Sequence, residues 1–548
     1  MTGVLGVGTP LAEAERLVDS ALIENVTASE WLEQRLAASR KPGGRSGGLR
    51  VRTLLVALQL GAFVGDYFLS SVVERLNSLG PKDRARLGLA RTGRAVTYRQ
   101  VCYLVTRIDE VLRRDFVRSE GGRIVDGYRD FDLLFNALAT TGAHPDTATV
   151  KSIALDGSDI PSWGADRLRH EVVWEVDEKG RSRIARDEEG NARYERVRVV
   201  SDIDAGYRGS RAVEGKREHF GYCLTVAITV REEEGPDVPR AAVAARLRPT
   251  LVQDREMGLA VIGEVAQRRG GLGDVLMDRG YTPALDGKDF VLPIRAMGGE
   301  PIFSLTKYQL GPAGTVRGAV IIEGRPYSPS IPRKLMKIVP PRGVDGAYTP
   351  HPVELREYQD QIAAREVYAL VPHGTRRANG TQVFQCPGAA GKLECPLQPA
   401  RRGLREGALP VLRVPTNPGP ESVCVKAFPS FTLEDLPLMQ RHVFGSREWQ
   451  RSYARRSSSV ETFFANVKDA SREGVWRGRI RVTGIIKTGL CVALAVASAN
   501  RRLALAFSPE RAVERPRRRR PGRPTHHRRL TYRQVIEDAA ASRVLLRT

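Results

Sequence analysis

The run of strand-like segments that begins at Val150 constrains this chain more than any other stretch. VKSIALD, HFGYCLTVAITV and RAAVAARLRPT are each apolar or alternating, and each is bounded by turn residues, so three strands are expected. A helix is predicted from about Arg255 to Arg268, then the short apolar run DVLMD, and then KDFVLPIRA as a fifth strand. That order of elements specifies an α/β layer. Asp156 and Asp278 then stand at strand C-terminal ends, where open α/β sheets place their ligand sites.

A second informative stretch is SSSVETFFANVK, residues 457–468. Glu461 and Lys468 lie seven residues apart, so a helix would project them from one side, two turns from each other. A carboxylate facing a metal and a lysine facing a phosphate would suit that arrangement. The same letters also fit a capping box, with Ser458 at the cap and Glu461 only tying down a helix start. Each acid has rivals: Asp159 beside Asp156, which Gly157 also marks as a turn; Asp274, a strand-start cap, beside Asp278; Glu448 and Glu473 beside Glu461.

Residues 1–118 look helical, with heptad-like spacing from Leu11 to Leu36, a capping box at Thr27 and Glu30, and a Gly-rich basic break from Lys41 to Gly48. The five residues TYRQV at Thr97 recur at Thr531, and a shared helix start explains the echo more cheaply than paired DNA-contacting helices. Residues 297–450 read as a β-rich insertion between two parts of the α/β core, 150–296 and 451–508. Its β-like runs include TVRGAVIIEG, REVYALVP and TQVFQC. Cys386 and Cys395, each followed by proline, could hold zinc with Cys424 and His442. Their spacing is not the tight pair of a zinc knuckle, and it favours free structural thiols. After the Glu461 helix come a basic turn, Arg472 to Arg481, and an apolar helix from about Val482 to Leu505. In the C-terminal tail, 509–548, residues 511–529 hold nine arginines against one acid, Glu514, and are expected to be extended and solvated. RRRRPGRP there resembles an AT-hook, but Pro521 stands where an arginine should precede the glycine. Phosphate binding through residues such as Arg520 and Arg523 is therefore expected over groove reading.

Charge narrows the partner. With 86 Lys and Arg against 63 Asp and Glu the net charge is +23, which favours a polyanion, nucleic acid first, over a small acidic substrate. Six scattered cysteines are unlike a disulfide framework and point to a reducing cytoplasm. No signal peptide is expected from the first twenty residues. Thr53 to Val73 and Ile485 to Phe507 carry charged or polar residues and read as buried helices rather than membrane spans.

DGS at Asp156, DRGY at Asp278 and the E-x6-K of Glu461 and Lys468 resemble the DDE transposases of bacterial insertion sequences, in the group with a Tyr-Arg-Glu-Lys signature. DAGYRGSRAVEGKREHFGYCLTVAI resembles the second-strand region of such enzymes, and the likeness covers about 150–296 and 452–500. Three strands, a helix, a strand, a connection and a strand is also the element order of a ribonuclease-H-like core. The resemblance implies a mixed sheet of that kind, a helical N-terminal domain for DNA binding or dimerisation, and Asp156, Asp278 and Glu461 as catalytic ligands of two Mg2+ or Mn2+ ions. Tyr453, Arg456 and Lys468 would contact DNA. Tyr453 and Arg456 each lie one residue farther from Glu461 than the family spacing requires, and Ser457 occupies the expected arginine position. Either a one-residue bulge at the helix start absorbs the shift, or the positive role passes to Arg455 or Lys468. The implied partners are terminal inverted repeats and target DNA, bridged by a homodimer in the nucleoid. An inactive DNA-binding descendant of a transposase, or a metal-dependent nuclease without strand transfer, are the alternatives.

Overall fold

In the computed structural model the described residues are 9–507, apart from 40–47, 90–93, 121, 123, 165, 177–181, 210–217, 251–253, 283–286, 345–349, 378–379, 398–416 and 477. The second TYRQV copy, Arg520, Arg523 and the AT-hook-like segment lie outside them, as does most of the stretch from Lys41 to Gly48. The N-terminal helices begin where their caps predict. Thr9 accepts the Ala12 N–H ahead of Pro10–Asp19, and reciprocal capping boxes open Ala28–Ala38 at Thr27 and Glu30 and Tyr98–Leu112 at Thr97 and Gln100. The heptad-like run from Leu11 to Leu36 is not one helix. A two-strand turn, Leu22–Ile23 with Val26–Thr27, divides it, and Glu24 and Asn25 at φ 50° and 68° make a reversal that no helix accommodates.

The protein is mixed α/β around a mixed sheet. We label its strands β1 (Ile153–Pro161), β2 (Gly206–Gly209), β3 (Glu218–Thr229), β4 (Ala242–Pro249), β5 (Asp274–Met277) and β6 (Glu300–Phe303). The order is β2-β3-β1-β5-β6, with β4 pairing β3 beyond the end of β2. β3 runs antiparallel to β1, whereas β1, β5 and β6 are parallel. The helices most tied to this sheet are α1 (Val51–Ala62), α2 (Arg129–Ala139), α3 (Asp254–Arg269), α4 (Lys288–Ala296), α5 (Arg447–Lys468) and α6 (Ile485–Ala506). Asn136 of α2 accepts the Ala245 N–H of β4, and Asn500 of α6, fully buried, bonds both the N–H and the carbonyl of Ala242. Helices and strands share one continuous core.

Gly258 sets the approach of α3 to the sheet. A Cβ there would lie 2.9 Å from Leu155 Cδ2, 2.9 Å from Tyr281 Cε1 and 3.1 Å from Phe290 Cζ, with Leu155 and Phe290 buried on either side. Overpacking of that kind costs about 1–3 kcal/mol. Gly258→Ala is expected to lower the urea midpoint accordingly, and an unchanged midpoint would show that α3 slides freely over β1.

Three expectations fail for identifiable reasons. KDFVLPIRA is the helix α4, not the last strand of the layer, which is β6. Its buried residues Phe290, Val291 and Ile294 follow helical spacing, and a short apolar run does not by itself separate the two periods. Asp156 does not end its strand. β1 continues to Pro161 because its pairing with β3 outlasts its pairing with β5, which stops at Leu155. Ser458 and Glu461 do not open a helix either. α5 is capped twelve residues earlier, where Ser446 Oγ accepts the Trp449 N–H, so both lie inside an unbroken helix and no bulge at a helix start falls near them.

The segment after β6 carries two three-stranded sheets, Pro312–Val316, Ala319–Ile322, Arg325–Tyr327 and then Val371–His373, Gln382–Gln385, Ser430–Phe431, with the helix Pro352–Glu366 between them. Its apolar residues form several small clusters in place of one large core. Helix α6 is long and apolar enough to cross a membrane, yet 72% of its apolar window is buried inside the protein, as a core helix requires.

Candidate active site

The parallel register pairs Leu155 with Met277, so Asp156 and Asp278 follow at neighbouring positions on adjacent strands. Burial along β1 changes at this point, from fully buried through Leu155 to half-buried from Asp156 to Asp159. Asp156 accepts the Gly157 N–H at 2.9 Å, and Asp278, just past β5, accepts the Arg279 N–H at 2.8 Å. Helix α5 packs across β1, β5 and β6 and brings the third acid, Glu461, on an exposed position. Asp278 and Glu461 are both within electrostatic reach of Asp156. Burial first, then the Asp278 and Glu461 charges, push the Asp156 carboxyl up, against the opposing pull of Arg456 and the Gly157 amide.

Two consecutive arginines of α5 point in different directions, as residues about 100° apart around a helix must. Arg456 Nη2 lies 3.0 Å from Asp156 Oδ2 in a pair whose side chains are 12% and 25% exposed. Arg456 also feels the Asp278 charge, and its Nε is buried without a hydrogen-bond partner. Arg455 is turned inward, 2.7 Å from Asp274 Oδ2 with both side chains nearly inaccessible, and it bonds Ser452 and the Arg231 carbonyl as well. Tyr453 is 3% exposed and stacks on Trp449 with ring centroids 4.7 Å apart. Of the four basic or aromatic candidates on this helix, Arg456 therefore faces the acids, while Arg455 and Tyr453 are part of the packing. Lys468, half-buried, lies near Asp159 and Cys223, and burial holds its ammonium below the usual lysine range.

The rival acids have other duties. Asp274 is a buried partner of Arg455 and Arg441, Glu448 sits in the first turn of α5 near Arg451, and Glu473 is buried against Arg502 and Ser498. His442 does not face the cysteines: its Nε2 lies 2.7 Å from Glu233 Oε1. Sequence reasoning missed Asp202 and Asp204, whose carboxylates receive the Gly484 and Ile485 N–H groups at the start of α6. It also missed Arg481, which lies 4.7 Å from the Phe68 ring and 5.1 Å from that of Trp163, an indole 41% exposed. Exposed aromatic and guanidinium groups of this kind stack on nucleobases, but nothing in local sequence joins Phe68, Trp163 and Arg481.

Among the described residues, no three His, Cys, Asp or Glu side chains are gathered closely enough to share an ion as they stand. At Asp156 the neighbouring positive charge is Arg456. The donor chemistry fits a hard cation, since Asp156, Asp278 and Glu461 offer only carboxylate oxygens. A cleft of about 740 Å3 opens elsewhere, among Asp132, Arg246, Arg248 and Glu264. Those charges are paired with one another, and none of the three acids lines it. The acids lie instead at a partly open surface, which a long polymer can reach. Compared with family models, with curated proteins and with solved structures, the chain finds no match.

Proposed function

We propose that this chain is a DNA transposase of the DDE type, built on a ribonuclease-H-like core, that cleaves the ends of an insertion sequence and joins them to target DNA. The observation that carries the reading is the register that sets Asp156 and Asp278 at neighbouring positions on adjacent strands, under a helix α5 that packs across both strands and carries Glu461. Acids from adjacent parallel strands and a distant helix have no packing reason to converge at a half-open surface, where like charges repel. Asp156, Asp278 and Glu461 would hold Mg2+ or Mn2+. Bound there, two such ions supply Lewis-acid stabilisation to the attacking and leaving oxygens of a phosphodiester.

The chain's own groups supply position and charge. Water, and later a DNA 3′-hydroxyl, attacks phosphorus in line, with no covalent protein intermediate. Arg456 opposes the burial that raises the Asp156 carboxyl, and the same guanidinium can hold a phosphate once the carboxylate has another partner. Arg456→Gln removes the charge that opposes burial at Asp156, so that carboxyl protonates at higher pH. The acid limb of the cleavage profile at limiting Mg2+ is then expected to move upward in pH. An unmoved limb would assign Arg456 to DNA contact alone. The +23 charge supports a DNA partner, and two element ends held together call for a dimer.

The same Arg456–Asp156 pair favours a second reading, a DNA-binding descendant that no longer cleaves, because a cation already occupies the neighbourhood of one acid. Incubating the full chain with Mg2+, DNA from the flanks of its gene and a target plasmid separates the cases. Nicked ends and joined products are expected. Nicks without joining would leave a nuclease, and binding without nicks would leave the inactive descendant.

A further inference from the structure

One stretch of chain leaves the sheet at the end where Asp156 and Asp278 stand. β1 runs past Leu155, the last residue paired with β5, to Pro161, and the strands that follow turn away. Asp166–Val172 pairs antiparallel with Tyr194–Val200 over seven residues, and Trp174–Val176 pairs with Ser182–Ile184 over three. Neither pair joins the six-stranded sheet, and no described residue between Pro161 and Ser201 belongs to the continuous core. A two-stranded ribbon is marginally stable by itself in water, so this one calls for cover from elsewhere.

The ribbon's far end has a defined backbone. The Val173 N–H donates to the Arg193 carbonyl at 2.9 Å, that of Arg193 to Ala185 at 2.8 Å, and that of Ala185 to Val173 at 2.8 Å, so three stretches meet in a closed ring. The apolar residue next to each of them is exposed: Trp174 by 63%, Tyr194 by 58% and Ile184 by 38%, Trp174 being the most exposed of the five tryptophans. Beyond this junction Asp187 Oδ1 accepts the Glu189 and Asn191 N–H groups, and the turn it fixes holds Asp187, Glu188 and Glu189 out in solvent. Arg183 and Arg193 are exposed beside it.

Charge selects what covers these residues. Residues 166–200 hold nine Lys and Arg against nine Asp and Glu, in a chain of net charge +23. A neutral ribbon with an acidic turn is a poor surface for a polyanion, and it is a place where two copies of so basic a chain can meet without mutual repulsion. Exposed tryptophan and tyrosine ringed by charged groups is also the composition of a protein–protein contact. We propose that the ribbon docks on the ribbon of a second copy about a two-fold axis, with Trp174, Ile184 and Tyr194 at the centre. The acidic turn of each copy then faces Arg183 and Arg193 of the other, a pairing that two-fold symmetry makes twice. This names the interface of the dimer called for above, and it rests on that reading for the need of a pair.

Sedimentation of the full chain, without DNA or divalent ions, is expected to show a dimer that dissociates on dilution. Trp174→Ala should weaken it roughly thirtyfold or more, the loss expected of a central aromatic anchor. Glu188→Arg with Glu189→Arg in one chain, and Arg183→Glu with Arg193→Glu in another, should each leave monomers. Mixing those two chains should restore a pair, which no folding defect can do. All five positions are exposed, so the urea midpoints should stay parental. Asp156→Asn should dimerise as the parent does, and a chain that dimerises in this way but never cleaves DNA would remove the proposed function and keep the ribbon contact. A monomer at every concentration, a dimer indifferent to Trp174→Ala, or charge variants that do not restore one another would overturn the proposal. So would a Trp174→Ala chain that keeps the dimer and loses DNA binding, since the ribbon would then belong to nucleic acid.

Discussion

Glu461→Gln is expected to lower strand cleavage by roughly a thousandfold or more while leaving DNA binding intact. A metal-coordinating carboxylate contributes to several kcal/mol of transition-state stabilisation, and each 1.4 kcal/mol or so is a factor of ten in rate. Glutamine keeps the shape and the helix propensity but removes the charge. Because Glu461 is exposed on α5 and has no packing role, the variant should unfold at the same urea concentration as the parent. Binding should be unchanged or slightly tighter, since a negative charge facing phosphates has been removed. Glu448→Gln is the matched control, being on the same helix but in its first turn beside Arg451. Nicking of end-containing duplex, read beside a gel shift at the same salt, checks both halves. Full cleavage by the Glu461 variant, or equal loss in the Glu448 variant, would remove Glu461 from the chemistry.

Much of this arrangement is legible from residues alone, because strand period and strand boundaries are local properties. VKSIALD, HFGYCLTVAITV and RAAVAARLRPT fall within or across β1, β3 and β4, and their partners follow from order. Where local signals tie, the reading fails. KDFVLPIRA has the letters of a buried strand, and only the need of Phe290 and Ile294 to reach one core selects the helix. The start of α5 departs from its nearest local signal for a related reason. Ser458 and Glu461 satisfy a capping pattern, but Ser446 satisfies one sooner, and Trp449 and Tyr453, stacked and buried, extend the helix between them. Sequence also could not divide labour between Arg455 and Arg456. Both were candidates for DNA, and only the packing of α5 against Asp274 on one side and Asp156 on the other separates them. The arginine-rich tail is legible by composition alone, and Arg520 and Arg523 lie beyond the described residues.

Asp204→Asn is expected to destabilise the fold by about 3 kcal/mol, because it strips the counter-charge from two guanidinia together. Asp204 is inaccessible to solvent, with Arg113 Nη2 and Arg118 Nη2 each 2.7 Å from its oxygens, and it also receives the Ile485 N–H at 3.0 Å. Asparagine preserves the shape but leaves both arginines, each about a quarter exposed, without their buried partner. Some relief through solvent and through Asp109, which also binds Arg113, keeps the figure at the lower end of the range for broken buried pairs. The pH dependence follows from the carboxyl itself. Burial pushes it up, yet Arg113, Arg118 and the Ile485 amide together hold it below the ordinary carboxylate range. A depressed folded pKa stabilises the protein fully above the unfolded value, near pH 4, and the contribution disappears as pH falls through the folded value. The gap between parent and variant in urea denaturation should therefore be constant at neutral pH and narrow only in acid. Since Asp204 caps the start of α6, and α6 packs on α5, the damage should reach stability first. Folded Asp204→Asn protein should cleave DNA at the parental rate, the reverse of the Glu461→Gln pattern. A variant that is stable but inactive would place Asp204 in the chemistry instead.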